Sequence, residues 1–263
     1  MSESNEHPDK KALLVVSFGT GFPLTREKTI DRIEESLSMS FPDRTLYRAW
    51  TSGMIIRKLQ KKDIFVMNVR EAMEAMIHDG ITDVIVQPTH VINGIENDRM
   101  KEDILSYADS FASVSIGVPL LTSTQDNEEA IRAVMNEWQI PEEEALVFMG
   151  HGTTHYANSI YAALDYTFKD LGYKNVFIGT VEAYPSFQNL LRQIQNYSPG
   201  KIHLAPFMIV AGDHAINDMS GDNPDSWKSL FEEAGFSVEC YLKGLGEYEG
   251  IRTLFVRHAK EAV

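Results

Sequence analysis

IHLAPFMIVAGDHAINDM (residues 202–219) is matched earlier in the chain by VIVQPTHVINGIENDRM (84–100), with Pro88 opposite Pro206, Gly94 opposite Gly212 and Glu96 opposite His214. Working outward, VVSFGTGF (15–22) resembles VFMGHGTTH (147–155), which sets Phe18, Gly19 and Thr20 against His151, Gly152 and Thr153. YRAWTS (47–52) lies opposite VEAYPS (181–186), so Arg48 faces Glu182 in the alignment. A repeat of about 120–135 residues is the size of a domain, not of a solenoid unit. The chain therefore reads as two similar halves, 1–124 and 125–263, facing each other across a cleft of the kind in which small-molecule sites form. The helices expected at 125–138 and 247–261 end the two halves, and each is placed to pack across onto the other half.

Within each half, short apolar runs alternate with amphipathic stretches of helical period. That alternation is the pattern of a parallel sheet covered by helices, an α/β fold of the doubly wound, flavodoxin-like kind. Strands are expected at 12–18, 44–49, 83–88, 114–118, 145–150, 175–181, 201–206 and 236–242. Helices are expected at 25–39, 52–60, 68–79, 97–111, 125–138, 156–170, 185–195, 224–234 and 247–261.

Composition narrows the function. With 38 acidic against 24 basic residues the formal charge is -14, which disfavours a nucleic-acid partner. The polar start MSESNEHPDKK leads into a short apolar strand, neither a secretory segment nor a membrane span, so a cytoplasmic protein is expected. The lone Cys240 allows no internal disulfide, excludes paired-cysteine zinc sites and is read as a small buried residue. Gly19-Thr20-Gly21 begins like a dinucleotide fingerprint. The third glycine position holds Leu24, however, and the second strand ends near Arg48 instead of an acid, so no nucleotide is expected there. No phosphate-cradling GxxxxGK[ST], GxSxG or HExxH pattern occurs in the chain.

Three residues stand out because each follows an apolar run and a turn: His151, Glu182 and His214. In an open parallel sheet, the carboxyl ends of the strands form the ligand edge. Two imidazoles and a carboxylate converging there make a site for a divalent metal. His151, between two glycines just after a strand, is badly placed for a core histidine, whereas His214 also fits a loop-capping role and Glu182 a favourable charge at a helix start. His90 and Glu96, in the first-half loop THVINGIE, read equally as cleft residues or structural ones. His155 reads either as a neighbour of the site or as a solvent-facing cap, and His7, His78, His203 and His258 are assigned no role.

At these residues the chain resembles the anaerobic cobalt chelatases of cobalamin synthesis, the CbiK-type sirohydrochlorin cobaltochelatases, which are class II chelatases related in fold to ferrochelatase. The likeness runs through KALLVVSFGT (11–20), TSGMIIRKL (51–59), HVINGIE (90–96), GVPLL (117–121), VFMGHG (147–152), VEAYP (181–185), VAGDHAINDM (210–219), DSWK (225–228) and GLGE (244–247). It implies two α/β domains around a tetrapyrrole cleft, a homo-oligomer, and histidines at His151 and His214 that handle metal and protons while Glu182 completes the metal set.

The chemistry suits these side chains. Inserting a divalent metal into a tetrapyrrole removes two pyrrole protons and strips water from the metal. Neutral imidazole both ligates such metals and accepts protons near neutral pH. The expected reaction is insertion of Co2+ into sirohydrochlorin or a related factor II-type tetrapyrrole without ATP, with the metal as substrate. Arg57, beside Arg48, Lys58 and Arg99, is set on the expected ligand edge to meet the substrate's carboxylates, or is an ordinary surface base. Which histidine is ligand and which is base stays open, as does the choice of cobalt over iron or nickel. A tetrapyrrole or metal carrier without turnover is the rival from a different class.

Overall fold

A computed structural model of the protein describes residues 10–263; the start of the polar leader, His7 included, lies outside the described residues. Among the described residues eight strands form two parallel four-stranded sheets. The first contains β1 (Lys11–Ser17), β2 (Thr45–Trp50), β3 (Asp83–Pro88) and β4 (Ser113–Ile116), in the order β2-β1-β3-β4. The second contains β5 (Ala145–Gly150), β6 (Val176–Thr180), β7 (Lys201–Pro206) and β8 (Ser237–Cys240), in the order β6-β5-β7-β8. The same topology is thus built twice. The central strands β1 and β5 are apolar along almost their whole length because helices cover both faces of each sheet.

The duplication extends to single hydrogen bonds. Beyond Pro88 the N–H of Thr89 donates to Val16 at 2.8 Å, and beyond Pro206 the N–H of Phe207 donates to Met149 at 2.7 Å. Leu120 donates to His90 at 2.9 Å as Leu245 does to Met208 at 2.8 Å, which supports the pairing of residues 84–100 with 202–219. The alignment of Arg48 with Glu182 is corrected. Trp50 pairs with Ser17 and Thr180 with Gly150, and Ser52 donates to Phe18 at 3.2 Å as Glu182 donates to His151 at 3.0 Å. The structural counterpart of Glu182 is Ser52. Arg48 lies within β2 and pairs with the buried Glu34 carboxylate, away from the ligand edge.

Helices α1 (Pro23–Lys28), α2 (Ile30–Ser40), α3 (Gly53–Gln60), α4 (Val69–His78) and α5 (Ile95–Leu105) belong to the first half. Helices α7 (Ile160–Asp170), α8 (Phe187–Tyr197) and α9 (Trp227–Glu233) belong to the second. The single helix expected over 25–39 breaks at Thr29, whose φ of -121° and ψ of -82° are not helical. A Cβ on Gly246 would lie 2.8 Å from the Thr29 Cα, so a chain segment far away in sequence presses on the break.

Between the sheets one apolar layer is shared: Leu13, Val15, Ile33, Leu37 and Ile85 of the first half belong to the same core cluster as Leu146, Phe148, Phe207 and Phe255 of the second. Two helices join it from the half boundaries. The terminal helix α10 (Glu249–Glu261) packs on α2 and on α6 (Thr124–Met135). A buried polar lock fixes it there, with His258 Nε2 2.9 Å and Arg257 Nη2 2.5 Å from Asp126 Oδ1.

Candidate functional site

Because all strands of a sheet run the same way, the residues that follow β5, β6 and β7 emerge on one edge. His151 is the first residue after β5. It is followed by Gly152 at φ +84°, where a side chain would be strained. A Cβ there would also lie 2.9 Å from both the Ala183 nitrogen and the Thr180 Cβ, so the His151 and Glu182 loops touch only because residue 152 is glycine. Tyr161 packs under Gly150 and hydrogen-bonds to the backbone of His151 and Gly152; burial pushes its phenol up to about 12, so it stays protonated as a support.

His214 begins a short helical turn whose Ser220 N–H reaches back five residues to the Ala215 carbonyl at 3.2 Å. Such wide π-type turns are frequent at functional sites. His214 Nδ1 lies 2.6 Å from Asp218 Oδ2, one turn along.

These loops bring the sequence-selected trio together. His151 Nδ1 is 3.7 Å from Glu182 Oε2, His214 Nε2 is 4.0 Å from Glu182 Oε1, and the two imidazole rings stand nearly perpendicular with centroids 4.7 Å apart. One ligand atom from each residue falls within a set spanning 4.8 Å. Donors sharing one divalent ion at about 2.1 Å each lie no more than roughly 4.2 Å apart. The arrangement can hold a divalent ion after side-chain movement of under about an ångström. All three side chains are partly exposed, so an ion held there would keep open positions toward the cleft.

The opposite wall comes from the first half. The Phe18 ring, 41% exposed, has its centroid 6.4 Å from that of His151 and also lines a cavity of about 430 Å³. Trp50, Thr51, Asn68, Glu96 and Arg99 line the same cavity. Glu96 therefore stands on this wall, 3.4 Å from Arg99 Nη1, and does not join the trio. Arg57, exposed in the last turn of α3, folds back to within 3.2 Å of where a Gly53 Cβ would sit, at the cavity's rim. His90 is buried behind this wall with Nε2 3.5 Å from Thr51 Oγ1; burial, opposed by a contact with Asn97, lowers it to about 4 and keeps it neutral.

His155 caps the turn that follows it and reaches across to the first half. Its Nδ1 accepts from the Ala157 N–H at 3.2 Å, while its Nε2 lies 3.3 Å from Asp98 of α5, bridging the two halves. His203 and His258 are tied to Glu144 and Asp126, as structural residues would be. Sequence reading passed over Asp218, Asp98 and Arg70, which also lines the cavity. Only Asp218 left a signal, an acid four residues after a histidine, the spacing at which side chains meet on a helical turn.

Two like parallel sheets sharing a core, with an imidazole–carboxylate–imidazole set on the ligand edge, make up the class II chelatase fold. The solved structure of SirB from Bacillus subtilis with Fe3+ shares that fold, with a TM-score of 0.68 over 96% of this chain and 95% of that one at 13% identity. The chain belongs to the cobalt chelatase (CbiK) family, whose model matches residues 11–263. It is 41% identical over 256 residues to the sirohydrochlorin cobaltochelatase of Salmonella typhimurium, covering 97% of each chain. It is 32% identical over 258 residues to sirohydrochlorin cobaltochelatase CbiKC of Nitratidesulfovibrio vulgaris, covering 97% of this chain and 91% of that one. Among the described residues no helix is long and apolar enough to cross a membrane.

Proposed function

We propose that the protein inserts Co2+ into sirohydrochlorin, releasing two protons, with His151, Glu182 and His214 receiving the metal and the two histidines accepting the pyrrole protons. The observation that carries this reading is the donor set itself: two imidazoles and one carboxylate whose ligand atoms lie within 4.8 Å, facing the cleft. Glu182 compensates part of the metal's charge. Neutral imidazole, a good ligand for late first-row divalent metals, is also a base near neutral pH, so each histidine can pass from ligand to proton acceptor as the metal leaves for the ring.

The macrocycle is placed between the trio and the first-half wall, where Phe18 offers an apolar surface beside His151. Arg57, Arg70 and Arg99 are near enough to that wall to meet the substrate's carboxylates, in a protein whose overall charge of -14 would otherwise repel them. His90 and Glu96 shape the wall without binding the metal. Residues 1–124 and 125–263 are taken as the two working halves, and the free Cys240 suits a reducing, cytoplasmic setting.

An N/O donor set of this kind orders divalent metals by general affinity and does not single out cobalt from nickel or iron. The test is anaerobic turnover with sirohydrochlorin and Co2+, Ni2+ or Fe2+ in parallel, followed by tetrapyrrole absorbance beside His151→Ala and His214→Ala. Multiple turnovers, fastest with Co2+ and lost in both variants, are expected. Metal insertion no faster than in an enzyme-free blank, with tetrapyrrole bound but no metallated product released, would replace the chelatase by a carrier.

A further inference from the structure

The 2.6 Å contact between His214 Nδ1 and Asp218 Oδ2 has no counterpart at His151, whose Nδ1 instead lies 2.9 Å from the Gly152 carbonyl. We propose that Asp218 is a positioning residue that fixes His214 with its proton on Nδ1 and its Nε2 lone pair aimed at the metal position. The proposal rests on His151, Glu182 and His214 being the Co2+ site.

A carboxylate at this distance accepts a charge-assisted hydrogen bond, roughly twice as strong as one to a neutral acceptor. Because an ionised carboxylate can only accept, the Nδ1 of a neutral His214 must carry the proton, and the remaining lone pair belongs to Nε2. That nitrogen is the one facing Glu182, at 4.0 Å. The ring is thereby held in both tautomer and orientation before any metal arrives. Carboxylate–histidine–metal arrangements use the same device, which also makes the ligating nitrogen a better electron donor.

The two histidines are therefore not equivalent. His151 is anchored by a backbone carbonyl of its own loop, His214 by an anion. The wide turn over Ala215–Met219 sets Asp218 beside the ring while both side chains stay part-exposed. Asp218 itself is separated from the metal position by the imidazole, as a supporting group is.

The test uses Co2+ alone, titrated into the full chain and read by calorimetry and by cobalt visible absorption. His214→Ala, Asp218→Ala, Asp218→Asn and the double variant His214→Ala/Asp218→Ala are compared with the unaltered protein. Asp218→Ala should weaken Co2+ binding about 10- to 100-fold. The double variant should bind no more weakly than His214→Ala alone, because Asp218 acts through that ring. In the metal-free protein, nitrogen-15 NMR of the imidazoles should show the Nδ1–H tautomer at His214 and its loss in Asp218→Ala.

Asp218→Asn keeps the shape and one accepting oxygen, so it should retain the tautomer and lose less affinity. If the alanine variant does not fold, Asp218→Asn decides the matter by affinity: its neutral oxygen holds the ring less firmly, so Co2+ binding should still fall measurably, and binding equal to that of the unaltered protein would overturn the role of Asp218. Unchanged affinity and tautomer in Asp218→Ala, with binding lost in His214→Ala, would overturn the role of Asp218 and leave the metal site standing. Further weakening in the double variant would also overturn it, since Asp218 would then be acting independently of His214. If His214→Ala bound Co2+ as tightly as the unaltered protein, the metal-site reading itself would fall.

Discussion

The N–H of Glu182 donates to the carbonyl of His151 at 3.0 Å, so two residues of the candidate metal set, thirty-one positions apart in sequence, are tied through their backbones. In the first half the same bond joins Ser52 to Phe18. The duplicated scaffold therefore offers the same two side-chain positions twice. The second half fills them with a carboxylate and an imidazole, and the first with a hydroxyl and an aromatic ring. Under the proposed function, the wall with the carboxylate and imidazole receives the metal and the wall with the aromatic ring faces the macrocycle.

The tie depends on Gly152. Gly152→Ala introduces a Cβ at φ +84°, 2.9 Å from both the Ala183 nitrogen and the Thr180 Cβ. Strain of this kind costs about 1–3 kcal/mol, and relief requires the His151 and Glu182 loops to part. The expected result is a lower thermal midpoint together with a Co2+ affinity reduced at least about tenfold, an energy of about 1.4 kcal/mol. A protein destabilised but binding Co2+ normally would show that the loops tolerate separation.

Much of this arrangement is legible in the sequence because it rests on local pattern. β1 and β5 are buried on both faces and read as unbroken apolar runs, and the edge on which His151, Glu182 and His214 meet follows from parallel strand direction alone. What is not legible depends on distant partners. The break at Thr29 answers to Gly246, the withdrawal of Arg48 to the buried Glu34, and the neutrality of His90 to its burial behind Thr51. The displaced alignment of Arg48 with Glu182 has the same origin: β2 is matched correctly only through its ladder with β1, which spacing does not reveal.

Asp98 and His155 close the cleft from opposite halves, 3.3 Å apart. Their pairing is part-exposed and is worth less than about 1 kcal/mol of global stability. Asp98→Asn should leave the unfolding midpoint nearly unchanged. If the contact also holds the halves at their working separation, the variant should raise KM for the tetrapyrrole about two- to fivefold with little change in kcat, as steady-state assays at low salt would show. A large fall in thermal midpoint instead would mark the contact as structural.

Acid should unlock the terminal helix. Burial alone would raise the Asp126 carboxyl, but hydrogen bonds from His258, Ser123 and Arg257 outweigh it and bring the group from 3.8 to about 2. With a folded value below the unfolded one, the group's stabilisation is complete above the ordinary carboxyl range and is lost as pH falls from about 4 toward about 2. Asp126→Asn should therefore be clearly less stable than the unaltered protein at neutral pH, with the gap narrowing across that acid window. Urea unfolding at stepped pH measures it; a gap independent of pH would assign the effect to packing at α10 instead of charge.

Arg57 tests whether the first-half wall meets the substrate's carboxylates. Its guanidinium is exposed at the cavity rim, so one ion pair formed there contributes about 0.5–1 kcal/mol and is screened by salt. Arg57→Ala should raise KM for sirohydrochlorin about two- to fivefold at low ionic strength, and the difference should shrink as salt is added. Co2+ binding in the absence of tetrapyrrole should not change, because the trio lies in the other half of the chain. An unchanged KM at low salt would remove Arg57 from the binding surface and leave Arg70 and Arg99, which line the same cavity, to carry the charge recognition.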